Sequence, residues 1–373
     1  MTTMFFYGTL CHLPLLETVL GHPIALIPGH LPGFRVARAK DRPHPMITAD
    51  PKAQTPGFLA RNLSPTDIDR LNFYEGGFAF TTISAEVTTQ GGADPALIYL
   101  PDPGHWEEGG PWSLSDWQAE FGAVLTETAA DVMALYGKAD PAQVLRRYGN
   151  MLVRGASRLR AKAAAAPSAI RHPATAADVD LRHYSQPYAH FFAVEEYNLS
   201  FRRFNGTPSR IVNRAAFVAG DAVTVLPYDP QRDRVLVVEQ FRAAPFARGD
   251  RNPWQIEAIA GRIDPFETPE QAAIREAQEE AALTLGPLHL VSEYYPSPGA
   301  VTEYLYSYVA ICDLPDGAAG VFGVADEAED IRGHLLGFDQ MMELITSGEI
   351  QNAPLILTAL WLQRERPRLR AKD

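Results

Sequence analysis

Residues 261–283 read GRIDPFETPEQAAIREAQEEAAL, and the acidic run Glu276, Glu279 and Glu280 decides how the C-terminal half is read. On a helix, positions i, i+3 and i+4 share one face, so these carboxylates crowd together. Like charges at that spacing cost ~0.2–0.5 kcal/mol per pair unless something neutralises them. Carboxylate oxygens suit hard divalent cations such as magnesium. The stretch therefore predicts a helix carrying a metal cradle. A solvated acidic face is the plainer alternative, and a lone acidic cluster would deserve it.

Working outward, the chain has 373 residues, which suggests two domains rather than one core. Apolar residues make up 46% and charged residues 21%, a globular composition. A formal net charge of −12 argues against a nucleic-acid backbone or an anionic membrane as the main partner. Two cysteines, Cys11 and Cys312, form no disulfide framework and fit a reducing compartment. No run approaches a membrane span, and the start lacks a basic-then-apolar signal pattern. The expectation is a cytoplasmic protein without a membrane or nucleic-acid partner.

The segment 161–180, AKAAAAPSAIRHPATAADVD, is poor in large apolar side chains and interrupted by Pro167 and Pro173. It reads as a linker between domains at 1–160 and 181–373. Upstream, MFFYGTL opens as a buried strand running into a glycine turn, and residues 115–137 and 140–163 have helical spacing. Downstream, DAVTVLPYD, RVLVVEQFR and EYLYSYVAICD are β-branched and aromatic runs bounded by turn residues, and a helix is expected near 352–364. The fold class is α/β (α+β), with a mixed sheet flanked by helices in the second domain.

The quoted stretch resembles the Nudix box: Gly261, then Glu267, then Arg275, Glu276, Glu279 and Glu280. From about Tyr184 onward the chain resembles the ADP-ribose pyrophosphatase branch of the Nudix hydrolases, through FFAVEEYNLSFRRFNG, VEQFR, PWQIEAIAGRID, SPGAVTE, VADEAEDI and NAPLILTALWLQ. The resemblance implies an α/β/α sandwich that holds Mg²⁺, with Mn²⁺ as an alternative ion. It assigns the cation to Glu276, Glu279, Glu280, the carbonyl of Ala260 and Glu329. Glu327 becomes the general base, in an acidic loop, and Glu267 orients Arg275. Arg242 would fork onto phosphate oxygens, Glu303 would accept from ribose hydroxyls, and Phe191 would stack on adenine. Arg214 would cover the other adenine face from a neighbouring subunit, in a homodimer built through this domain.

Two positions depart from the family pattern. Ala219 stands where the family has a basic residue, and Ala282 stands where it has a helix-ending glycine. A positive φ costs an alanine roughly 1–2 kcal/mol, so either the helix continues to Gly286 or the cap is reshaped.

In the first half, Tyr7-Gly8-Thr9-Leu10 and the later Phe73-Tyr74-Glu75-Gly76 resemble the γ-glutamylcyclotransferase-like superfamily. That resemblance implies a β-barrel/α domain in which Tyr7, Gly8, Thr9 and Leu10 line a pocket. Glu75 would shuttle a proton as a γ-glutamyl amine closes to 5-oxoproline, work that one carboxylate with a raised pKa can do. A ligand-binding module or a dimerisation element stays open for this half. His44 and His105 lie in loops without metal-like spacing.

The expected activity is Mg²⁺-dependent hydrolysis of ADP-ribose to AMP and ribose 5-phosphate. The alternatives are another nucleoside diphosphate sugar as substrate, or a nucleotide sensor without turnover. The order of the two halves resembles tellurite-resistance-associated fusions in bacteria.

Overall fold

The computed structural model describes residues 1–323 and 330–371. The chain divides into two compact units, Met1–Ala166 and Pro167–Asp373. Among the described residues no helix is long and apolar enough to cross a membrane.

The first unit contains strands β1 (Thr2–Phe6), β2 (Leu26–Ala39), β3 (Pro45–Leu63), β4 (Phe80–Thr89), β5 (Gly92–Pro101) and β6 (Glu108–Gly110). Its helices are α1 (Leu13–Leu20), α2 (Pro65–Glu75), α3 (Leu114–Trp117), α4 (Ala123–Met133), α5 (Pro141–Leu145) and α6 (Tyr148–Ala163). The strand order is β3-β1-β5-β4-β2-β6, and β3 also pairs with β2, which closes a five-stranded barrel with β6 outside it. Alternation along β1 sorts its side chains: Phe5 packs inside the barrel with Leu31, Leu59 and Ile98, while Met4 and Phe6 face the helices.

The helical readings of this unit were too continuous. A π-helical turn at Gln118–Gly122 separates α3 from α4, and the chain leaves α4 at Met133. The physical reason is phase: Trp117 and Leu125 are both buried, and eight residues at 3.6 per turn overshoot two turns by about 80°. One wider turn takes up most of that overshoot. The second reading divides into α5 and α6 at Arg146–Arg147.

In the second unit, β7 (Val179–Ala189), β8 (Ala193–Phe201) and β9 (Val212–Val218) form a three-stranded sheet. Then follow β10 (Ala222–Asp229), β11 (Arg234–Phe241), α7 (Ala243–Arg248), β12 (Trp254–Glu257), β13 (Ile259–Arg262) and α8 (Pro269–Ala281). The remainder is β14 (Leu288–Tyr294), β15 (Leu305–Ile311), β16 (Val321–Phe322), β17 (Ile331–Gly337), α9 (Phe338–Ser347) and α10 (Ala353–Arg370).

The main sheet runs β14-β15-β10-β11-β17-β16, with β12 on β11 and β13 on β10. It is mixed, since β10 pairs parallel with β15 and antiparallel with β13. Every residue of β10 is buried, as a central strand covered on both faces requires. Val223 and Val225 pack under α8 with Ala272, Ala273 and Ala277, while Leu226 and Tyr228 pack with α9 and α10. α10 runs past the expected end to Arg370, where Arg366 and Arg370 both pair with Asp233.

At the end of α8, neither expected remedy is used. The helix stops at Ala281, and Ala282 itself takes the left-handed conformation at φ +50. Its N–H donates to the Gln278 carbonyl at 3.1 Å, and that of Leu283 donates to Ala277 at 3.0 Å. The buried Leu283 side chain holds the turn in place. Ala282→Gly should relieve about 1 kcal/mol of strain and raise the Tm of the chain by ~2–4 °C, measured by calorimetry. An unchanged or lowered Tm would mean that the turn carries no such strain.

Candidate active site

Helix α8 starts cleanly because Thr268 and Gln271 form a capping box and Pro269 occupies the first turn. Its inner face is alanine (Ala272, Ala273, Ala277, Ala281), so the helix lies close on the sheet. That closeness brings Glu276 and Glu280 onto the backbone of β13. Glu280 is 2% exposed and accepts from the Ala260 N–H at 3.2 Å. Glu276 is seated over Gly261, where any Cβ would overlap its carboxylate. Gly261 is thus required for close approach rather than for a positive φ.

Arg275 ties the acidic cluster together. It donates through Nε and Nη2 to Glu267 at 3.0 and 2.9 Å, and through Nη1 to Glu276 at 2.7 Å and Glu279 at 3.0 Å. Nη2 also donates to the Arg262 carbonyl at 3.0 Å. These partners, Glu267 first, raise the affinity of Arg275 for its proton still further.

The donors gathered at Ala260–Gly261 are carboxylate and carbonyl oxygens, which fit a hard divalent cation in kind. Glu279 is turned toward Arg275 and is the most exposed of the three box glutamates. Among the described residues no group of three or more His, Cys, Asp or Glu side chains stands ready to hold a metal. Glu327 and Glu329 lie outside the described residues.

Beside this cluster is a cavity of about 330 Å³. Of the residues singled out in the sequence it brings together Phe191, Ala219, Arg242, Ala260, Gly261 and Glu303. The Arg262 guanidinium lies 4.1 Å from the centre of the Phe191 ring, so a cation from the same chain covers one face of that aromatic. Glu303 follows a loop held to β9 by hydrogen bonds from Phe217 to Ala300 and from Thr302 to Phe217. Burial raises its carboxyl pKa; Arg242 pulls it down and Asp221 pushes it up.

Arg214 is not among the residues lining this cavity; it is exposed on β9 and donates to the Asn213 carbonyl at 2.9 Å. At the other departure, the Ala219 backbone exchanges hydrogen bonds of 3.1 Å with the Thr302 hydroxyl.

The sequence reading missed Arg262, Glu257 and Asn352. Arg242 donates from Nε and Nη2 to one oxygen of Glu257 at 2.8 and 2.6 Å, and Asn352 donates to the other at 2.9 Å. Glu257 was signalled only by an acid at the end of a short strand, between Ile256 and Ala258. Asn352 was signalled only by preceding Pro354 at a helix start.

In the first unit, β1 delivers Tyr7, whose hydroxyl donates to the Tyr99 carbonyl at 2.7 Å. A Cβ at Gly8 would come within 2.7 Å of Pro45 Cγ, so the chain there is pressed against its neighbour. Thr9–Cys11 forms a short 3-10 turn, and the Leu10 side chain goes into the core beside Tyr74 and Tyr99. Glu75 ends α2, and burial pushes its carboxyl up to about 7. Its charge reaches Tyr7, Tyr74, Tyr99 and Tyr148, whose hydroxyls are all raised, mainly by burial. Tyr7 and Glu75 are therefore near enough for charge to couple them, and the same coupling extends to three further phenols that the sequence did not disclose.

The chain is similar to known proteins in both units. A family model described as "NUDIX domain" matches residues 218–357, and one described as "Gamma-glutamyl cyclotransferase, AIG2-like" matches residues 4–119. An ADP-ribose pyrophosphatase of Escherichia coli (strain K12) is 37% identical over 186 residues, 50% of this chain and 88% of the relative. One from Haemophilus influenzae is 32% identical over 196 residues, 49% of this chain and 90% of the relative. A GDP-mannose pyrophosphatase of Enterobacter sp. (strain 638) is 31% identical over 173 residues, 46% of this chain and 88% of the relative.

The Glu75 environment carries a pH signature. A carboxyl raised from its ordinary 4.5 to about 7 favours its neutral form in the fold. Between those values the unfolded chain releases the proton first, so stability falls as pH rises, by at most about 1.4 kcal/mol per pH unit, and flattens above. Glu75→Gln should remove that fall, seen as a difference in Tm between variant and wild type across pH 4.5 to 7. Parallel curves would show that Glu75 titrates normally.

Proposed function

The chain belongs to the Nudix family, and on that premise we propose that its C-terminal unit hydrolyses the pyrophosphate linkage of ADP-ribose, giving AMP and ribose 5-phosphate. The observation that carries the reading is the convergence of Glu276 and Glu280 on Ala260–Gly261, two residues that line a cavity together with Arg242 and Glu303. The activities of the relatives named above support a nucleoside diphosphate sugar as substrate, and the ADP-ribose pyrophosphatases have the higher identities among them.

The roles follow from the chemistry of each group. Glu276, Glu280 and the Ala260 carbonyl would hold Mg²⁺, with Glu279 as a further ligand reached by release from Arg275. When bound, the cation supplies charge neutralisation on the phosphates. Arg242 presents N–H donors to phosphate oxygens, a geometry for which a planar guanidinium is suited. Glu303, kept from full solvation, accepts from hydroxyls of the sugar. Phe191 offers an aromatic face to the base, backed by Arg262. The water that attacks phosphorus gives its proton to Glu327, and the P–O bond to the bridging oxygen breaks. Arg214 reaches the base from a second copy in a homodimer.

For the N-terminal unit we propose γ-glutamylamine cyclisation at Glu75. A carboxyl near pH 7 is matched to accepting a proton from the attacking amine and returning it to the leaving nitrogen. Tyr7, Gly8 and Thr9 would line the pocket for that substrate, and Leu10 would contribute only its backbone, since its side chain is in the core.

Glu280→Gln should lower ADP-ribose turnover at least a hundredfold, about 3 kcal/mol of barrier, with phosphate released from AMP by a coupled phosphatase as the readout. A rate near that of the wild type would remove Glu280 from the chemistry. Glu75→Gln should abolish 5-oxoproline formation from γ-glutamyl amines while leaving ADP-ribose turnover unchanged. Product from that variant at the wild-type rate would rule out Glu75 as the proton carrier.

A further inference from the structure

We propose that Glu257 is a positioning residue that presents Arg242 to the diphosphate, and that Asn352 holds Glu257 in turn; this rests on the reading of the cavity as a nucleoside diphosphate site. Arg242 follows the last residue of β11 with its side chain 39% exposed, and a long arm so placed would sample many rotamers. Glu257 removes that freedom. It lies on the neighbouring strand β12, is 7% exposed, and one of its oxygens takes both N–H groups along the Nε edge of the guanidinium. The grip fixes the plane of the guanidinium where Arg242 lines the cavity.

The second oxygen of Glu257 accepts from Asn352 Nδ2. Asn352 is itself immobilised as the N-cap of α10, where its Oδ1 accepts from the Leu355 N–H at 2.9 Å. The result is a relay from a helix start, through a buried carboxylate, to the arginine, and all three side chains line the same cavity.

A buried negative charge beside an anionic substrate is unfavourable by itself. It is tolerable where it converts a mobile cation into an oriented one, since orientation lowers the entropy lost on binding. That accounts for a glutamate at this position where a neutral residue would repel the substrate less. Two-point fixation by Arg242 and Asn352 also explains why both oxygens of one carboxylate are occupied by the protein.

The test uses the full chain, with kcat and KM for ADP-ribose measured for the wild type, Glu257→Gln, Arg242→Gln, the double variant and Asn352→Asp. Glu257→Gln is expected to raise KM at least tenfold, with kcat changed less than threefold. The double variant should be no worse than Arg242→Gln alone, because Glu257 acts through the arginine. Asn352→Asp keeps the N-cap but replaces a donor to Glu257 by a like charge, so KM should rise severalfold with little change in Tm. Multiplying effects in the double variant, or an unchanged KM in Asn352→Asp, would overturn the relay. Should Glu257→Gln fail to fold, Glu257→Asp and Asn352→Asp carry the same test. A wild type that neither binds nor cleaves ADP-ribose is a separate outcome, which overturns the functional reading itself.

Discussion

Arg275 makes the acidic face of α8 compatible with a folded chain. Three carboxylates at i, i+3 and i+4 repel one another, and Glu276 and Glu280 are also drawn out of water against β13. One guanidinium meets Glu276 and Glu279 with Nη1 and Glu267 with its other edge, so the cluster is partly compensated before any cation arrives. Gly261 supplies the remaining condition, since its missing side chain is the space that the Glu276 carboxylate fills. The alanine face of α8 sets the helix low enough on the sheet for both conditions to hold at once.

The two units handle their central carboxylates in opposite ways. In the second, arginines grip glutamates: Arg275 holds the box residues and Arg242 is held by Glu257. Such pairing orients carboxylate and guanidinium on one another through directed hydrogen bonds. In the first unit burial dominates at Glu75, whose charge is felt by Tyr7, Tyr74, Tyr99 and Tyr148. That keeps the acid near neutrality, where it can accept and return a proton. Both fit the chemistry proposed for them, and neither environment follows from the residue type alone.

What could be read from the sequence was whatever lies close along the chain. Helical period placed Glu276 and Glu280 on one face, and the run from Ala222 to Asp229 was apolar enough to mark a central strand. The closed barrel and the mixed sandwich followed from resemblance, and the strand order bears them out. What could not be read is long-range. Glu257 meets Asn352 across 95 positions, and Tyr7 meets the Tyr99 carbonyl across 92. The π-helical turn at Gln118–Gly122 was invisible because helical spacing tolerates a phase slip that only packing reveals. At Ala282 the sequence showed the strain but not its resolution, which depends on Leu283 being buried just beyond the turn.

The most direct measurement is product analysis by phosphorus NMR after incubation of the full chain with ADP-ribose, with and without a chelator. AMP and ribose 5-phosphate are expected in equal amounts when a divalent cation is present, and neither after chelation. Cleavage that persists without divalent cations would contradict the reading of Glu276 and Glu280 as a cation cradle. No cleavage in either condition would contradict the proposed reaction.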